Sequence, residues 1–209
     1  MKCVTASAVF LALPQSEWPA LLVATSFAAG LNTYATLATL GILGRTGALA
    51  LPPGLQILNN WYVIAASLVL FGVEFFADKI PAFDLVWNAL HTFVRVPIAA
   101  LVAWRATAQL SPGEQLLAAT VGGLIALAAH GGKTAVRAAV TPSPEPISNI
   151  SLSFGEDAVA IGLTWFATRH PYVASAIVVV LLIVTVAAIR WVVRALKRLF
   201  RGAEHQVAH

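Results

Sequence analysis

The sequence predicts an all-α, polytopic membrane protein of about six transmembrane helices, and three observations carry that reading. Of the 209 residues, 59% are hydrophobic and only 11% charged, with a mean hydropathy of +0.82, far from the composition of soluble domains. Apolar runs recur along the chain, each close to the roughly 20 residues that cross about 30 Å of hydrocarbon. Arg190, Arg194, Lys197, Arg198 and Arg201 crowd the end of the last run, as basic residues do at a cytoplasmic membrane face. One integral membrane domain over residues 1–209 therefore uses nearly the whole chain.

Taken in order, residues Lys2 to Leu13 combine one positive charge with a short apolar stretch, like the start of a signal peptide, but no convincing small-x-small cleavage site precedes Trp18. The first span covers about residues 18–43 and is interrupted by Gly30-Leu-Asn32-Thr-Tyr34. Pro52-Pro53-Gly54 and Asn59-Asn60 make a turn-rich loop. A second span opens on the interfacial aromatic pair Trp61-Tyr62 and runs to about Ala77, where Pro81 closes it. Between Asp84 and Ala108, Pro97 separates a half bearing His91 and Arg95 from an apolar half, so a half-buried entry helix leading into a third span is expected. Trp87, His91 and Arg95 fall at i, i+4 and i+8 on one face of it.

A turn at Ser111-Pro-Gly113 precedes a fourth span, which starts near Glu114 and becomes polar at His130-Gly-Gly-Lys133. His130, Lys133 and Arg137 share a helical face there. Thr141-Pro-Ser-Pro-Glu-Pro146 is too rich in proline for a helix and reads as a stiff loop leading to Asn149. The fifth span, about residues 152–166, carries Glu156 and Asp157 in its opening turns, and the sixth, about 172–189, is free of charge and reads as lipid-facing. An even number of spans places both termini on one side, and the basic C-terminus makes that side the cytoplasm. The expected location is a plasma or inner membrane, crossed several times.

This orientation gathers Asp78, His91, Lys133, Glu145, Asn149, Glu156 and Asp157 toward the cytoplasmic half of the bundle, with Glu74 a little deeper. Charged groups in hydrocarbon cost a few kcal/mol, so they usually face a bundle interior or wet cavity and are paired. Glu74, Asp78, Glu156 and Asp157 offer hard oxygen ligands suited to a divalent cation or a proton, while His91, Arg95, His130 and Lys133 could neutralise them or receive an anion. With Lys79, Asn32 and Asn149 these form the candidate ion- or solute-binding set, the metal, if any, being unspecified. The competing reading is that acids and bases pair only to hold the bundle together.

A weak internal repeat adds to this. Residues 28–38 can be laid on 128–138, and Gly72 to Pro81 on Gly162 to Pro171, which share Gly, Phe, Ala, a basic residue and Pro in order. Two units, 18–108 and 112–198, would then be inverted three-span repeats, with helix interruptions at Gly30 to Tyr34 and at His130 to Lys133 marking a transporter site. Small residues recurring in any membrane helix explain the match equally well.

Other chemistry has little support. Gly132-Lys133-Thr134 copies the end of a P-loop, but Leu127 stands where that motif needs glycine, and no strand precedes it. No His-Glu-x-x-His or Gly-x-Ser-x-Gly pattern is present, so no enzymatic activity is expected. Cys3 is the sole cysteine, which excludes a disulfide framework and cysteine-based zinc or iron–sulfur sites. No cofactor is expected, and the basic balance reads as a topology signal with some contact to anionic lipid, not as nucleic-acid binding. The expected partners are the lipid bilayer and an ion or small charged solute, with the oligomeric state open.

Gly30-Leu-Asn-Thr-Tyr34, Glu74-x-x-x-Asp78-Lys-Ile-Pro81, His91-Thr-x-x-Arg95-x-Pro97, His130-Gly-x-Lys133, Ser143-Pro-Glu-Pro146 with Ser148-Asn149, and Glu156-Asp157 together resemble an uncharacterised bacterial membrane family, domain of unknown function 4126. The resemblance implies a multi-span membrane protein and no established activity. Glu74-Phe-Phe-Ala-Asp-Lys79 also faintly resembles the Glu-x-Gly-Asp-Lys signature of manganese and calcium exchangers, with one extra residue, Ala77 in place of glycine and no second copy. Two functions are therefore expected to compete: a small secondary transporter or channel-like protein for an ion or small charged solute, and a non-transporting scaffold or lipid-binding protein with a structural polar cluster.

Overall fold

The computed structural model of the chain describes residues 13–140 and 146–207, with side chains at all of these except 15, 81–86, 138–140, 146–149 and 195–207. The leader-like N-terminal stretch, the proline-rich loop with Glu145, the side chain of Asn149 and those of Lys197, Arg198 and Arg201 lie outside the described residues. Among the described residues seven α-helices follow one another: α1 (Trp18–Leu31), α2 (Thr33–Arg45), α3 (Trp61–Ala77), α4 (Pro81–Ala106), α5 (Pro112–Val140), α6 (Pro146–Ala167) and α7 (Pro171–Val207). Short 3-10 segments at Gln15–Glu17 and Pro53–Asn59 precede α1 and α3, and no strand occurs among the described residues.

The short helix α1 is the centre of the bundle. Twelve of its 14 residues are buried, from Trp18 through Ala24 and Phe27 to Leu31, so it has no polar face to turn outward. It packs against α4, α5, α6 and α7, and small side chains set the spacing. A Cβ on Gly30 would lie 2.8 Å from both the Ala126 Cα and the Ala129 Cβ of α5, so only glycine permits that approach. Ala99, Ala103 and Ala106 are buried along α4, where a Cβ on Gly122 would come within 3.0 Å of Ala103 and of Ser26.

The expected loop at 52–60 contains the 3-10 segment, and Asn60 ends it by capping α3: its side-chain oxygen accepts from the Tyr62 N–H at 2.9 Å. The 3-10 segment and α3 are bent by 67° and together are apolar enough to count as one broken span. Trp61 and Tyr62 are exposed at its start.

Two expected interruptions are not there. Helix α4 runs without a break through Pro97, so the entry helix and the third span are one element. Proline removes one backbone N–H, but close packing on α1 and α5 holds the helix across that single missing bond. Helix α5 likewise continues through His130-Gly-Gly-Lys133. The glycines there serve proximity: a Cβ on Gly132 would lie 3.2 Å from the Thr185 Oγ1 of α7. The break between α1 and α2 thus has no counterpart in α5. The aligned segments ending at Pro81 and Pro171 do share a form, since each is a helix end, a three-residue turn and a proline opening the next helix.

Two helices, over Pro112–Arg137 and Pro171–Arg194, are long and apolar enough to cross a membrane, and the bent pair before and including α3 would be a third. Only 11% of the α7 window is buried, against 44% for α5, so α7 turns its valines and isoleucines outward. It also extends well beyond the expected end near 189.

Candidate functional site

The site is built on the break in the first span. Asn32 alone separates α1 from α2, with φ −147° and ψ 103°, an extended conformation that stops one helix and starts the next. Its side-chain oxygen accepts from the Ala35 N–H at 2.9 Å and caps α2, while its amide nitrogen donates to Asp157 Oδ1 at 2.9 Å. The break leaves carbonyls at the C-terminus of α1 without helical partners, where the helix dipole is negative. Cations meet them: Arg95 donates to the Gly30 carbonyl at 3.4 Å and Lys133 to that of Leu31 at 3.5 Å.

From these two cations a network of buried ion pairs spreads through four helices. Arg95, on α4, donates to Glu74 on α3, and both are fully buried. Lys133, on α5, lies 2.8 Å from Asp78 Oδ2, 3.2 Å from Glu156 Oε2 and 4.0 Å from Glu74 Oε1. One turn further along α5, Arg137 reaches Asp78 Oδ2 at 3.1 Å and Glu156 Oε2 at 2.6 Å. It also donates to the backbone carbonyl of Asp78 at 3.3 Å, which ties the end of α3 to α5. Helical spacing explains the register: Glu74 and Asp78 are four apart, as are Lys133 and Arg137, so two acids on one helix face two bases on another.

Two histidines complete the polar core, and their partners fix their tautomers. Arg95 Nη1, which can only donate, lies 2.8 Å from His130 Nδ1, so that nitrogen accepts and the proton sits on Nε2. His130 Nε2 in turn faces the Asn88 carbonyl at 3.1 Å and the Thr92 hydroxyl at 2.8 Å. In His91 the order is reversed. Nδ1 donates to the Trp87 carbonyl at 2.9 Å, leaving Nε2 to accept from the Tyr34 hydroxyl at 3.3 Å. The Trp87 and His91 ring centroids lie 4.3 Å apart, a contact that their four-residue spacing on α4 allows.

The structure thus brings together Asn32, Glu74, Asp78, Arg95, His130, Lys133, Glu156 and Asp157, with His91 beside them through Tyr34. Lys79 stands apart. Its ammonium donates to the Phe75 carbonyl at 2.7 Å and lies over the rings of Phe75 and Phe154, at 3.0 and 4.5 Å from their centroids, so aromatic faces take the place of a carboxylate. Arg137, absent from the candidate set, is a full member, and its signal was its place four residues after Lys133. Tyr34 and Thr92 were also missed, because a hydroxyl in an apolar run is no anomaly until its partner is known.

The carboxylates are interleaved with cations, and among the described residues no three acids or histidines converge closely enough to hold a metal ion. The network is nearly closed to the outside. Glu156, with a side chain 12% exposed, borders a groove of ≈ 680 Å³ between α1, α6 and α7. His130 borders another, of ≈ 430 Å³, between α4 and α5. Three carboxylate oxygens inside accept no hydrogen bond among the described residues: Glu74 Oε2, Asp78 Oδ1 and Asp157 Oδ2.

Fold and site together define an all-helical protein with membrane-length helices and an ion-paired polar core at a helix break. The chain belongs to the family described as domain of unknown function (DUF4126), whose model matches residues 20–191. No curated protein and no solved structure matches it.

Proposed function

We propose that the chain is a small secondary transporter or channel-like membrane protein for an ion or small charged solute, with the network at the Asn32 break as its binding and coupling site. The observation that carries this reading is a discontinuous helix whose C-terminal carbonyls meet buried cations, beside carboxylates some of whose oxygens accept no hydrogen bond among the described residues. Fully buried structural polar groups are normally satisfied, whereas unsatisfied ones in a membrane bundle mark ion and substrate pathways. Discontinuous helices hold charged cargo in secondary transporters for the same reason. If α1 and α2 are one interrupted span, the helices make six crossings and both termini lie in the cytoplasm. In this reading the protein is not an enzyme, and one integral membrane domain carries the site.

A structural role has its own supporting observation. Each of Glu74, Asp78 and Glu156 is paired with a cation from another helix, and such ties could serve only to hold α3, α4, α5 and α6 in register. Glu74→Gln separates the readings, because the amide keeps the size and some of the hydrogen bonding of the acid but not its charge. Flux of cations, anions and protons into proteoliposomes is measured beside thermal stability in detergent. Transport predicts a folded variant without flux; a folded variant with full flux removes Glu74 from the mechanism. A variant that loses stability but keeps its flux per folded protein favours the scaffold.

A further inference from the structure

We infer that Asp157 binds a proton at neutral pH and that, through Asn32, it is the proton-sensing residue of the helix break. This rests on the functional reading above only for its use, since the protonation itself can be observed whether or not anything is transported.

The inference follows from how the buried charges are distributed. Among the described residues the network holds four acids, Glu74, Asp78, Glu156 and Asp157, against three permanent cations, Arg95, Lys133 and Arg137. The pairing is uneven. Glu74 has Arg95, while Asp78 and Glu156 share Lys133 and Arg137. Asp157 makes no ion pair among the described residues, and Lys133 and Lys79 act on its charge only from beyond ion-pair distance. Its Oδ1 accepts from the neutral Asn32 amide, and its Oδ2 accepts no hydrogen bond among the described residues, although the residue is only 5% exposed.

The charged and titratable groups around it are, among the described residues, engaged elsewhere. His130 is neutral because its Nδ1 accepts from Arg95, and His91 is held between the Trp87 carbonyl and the Tyr34 hydroxyl. Lys79 is held on the Phe75 carbonyl and two aromatic rings and makes no ion pair among the described residues. Helix α7, packed beside α6, presents only apolar and hydroxyl side chains between residues 173 and 189.

A buried carboxylate without a direct ion pair is less stable than its neutral acid, so such a group takes up a proton instead. A metal cation would need several converging oxygen ligands, and no such group of acids and histidines is present among the described residues; a proton needs one oxygen. Asn32 makes this consequential. The same side chain that donates to Asp157 also caps α2, so loss of the Asp157 proton leaves the hydrogen bond in place but makes its acceptor charged and the bond stronger, at the one residue that holds the break.

The test is infrared spectroscopy of the full chain in lipid nanodiscs, titrated with pH in sodium and in choline buffers. The expected result is a neutral carboxylic acid carbonyl band at neutral pH, the same in both buffers, lost in Asp157→Asn and retained in Asp78→Asn. Absence of the band in the wild type, its loss on adding sodium, or its persistence in Asp157→Asn overturns the inference. Should Asp157→Asn not fold, the wild type decides. A hydrophobic carbodiimide, which attacks protonated carboxyl groups, is expected to label the peptide containing Asp157 at neutral pH and not at high pH, and labelling of another acid in its place overturns the inference. A band that behaves as expected without any flux defeats the transport reading alone; flux that depends on Glu74 without a band defeats the proton site alone.

Discussion

Arg95 is the side chain on which most of the polar core depends, since it binds Glu74, His130 and the Gly30 carbonyl while fully buried. Replacing one member of a buried pair strands the other, at a cost of about 3–5 kcal/mol, whereas replacing both by neutral groups costs much less. Arg95→Met is therefore expected to lower stability in detergent severely, and Arg95→Met with Glu74→Gln to recover a large part of the loss. A double-mutant cycle of melting temperatures measures this, and additive losses would show that the two side chains do not act as a pair. Lys79→Met should cost no more than about 1 kcal/mol, because its ammonium has only an exposed-type aromatic contact and one carbonyl to lose. Most of these residues were legible in the sequence as charges within apolar runs. Their partners were not, because pairing joins residues such as Asn32 and Asp157 that are 125 positions apart.

At the scale of the elements, the break and the glycine contacts decide the geometry. Asn32→Ala removes the cap of α2, worth about 0.5–2 kcal/mol, and also leaves Asp157 without its donor. It should therefore cost more than Asn60→Ala, which removes an exposed cap of α3 and nothing else. Gly30→Val forces a branched side chain between α1 and α5, where even one carbon has no room, and overpacking of about 1–3 kcal/mol or a failure to fold is expected. Gly72→Ala is the control, since nothing lies within 4 Å of its Cβ position, and the gain in helix propensity should leave the protein as stable or slightly more so. Chemical denaturation of the four variants in one detergent checks the order. The interruption at Gly30 to Tyr34 could be anticipated from Asn32 and its neighbours. Glycines at 131 and 132 looked like a second interruption and are instead a contact surface for α7, because glycine both weakens a helix and lets another approach, and only the neighbour distinguishes the two.

At the scale of the whole molecule, six crossings with α1 and α2 as one span predict that reporters fused to either terminus report from the cytoplasm. A signal from outside at one end would mean an odd number of crossings and would remove the proposed orientation.

The sequence by itself determined that the chain is helical and apolar, where most helices begin and end, and which charges sit where lipid or core would otherwise be. Hydropathy, proline and capping residues act locally, so they can be read without the fold. Only the tertiary structure decided that α1, and not one of the longer helices, is the buried centre, that α4 and α5 pass unbroken through Pro97 and the 130–133 glycines, and that Arg137 joins the network while Lys79 does not. The reason is physical: whether a proline or glycine breaks a helix, and which carboxylate a cation finds, depends on what packs against it, and in this bundle those neighbours come from distant parts of the chain.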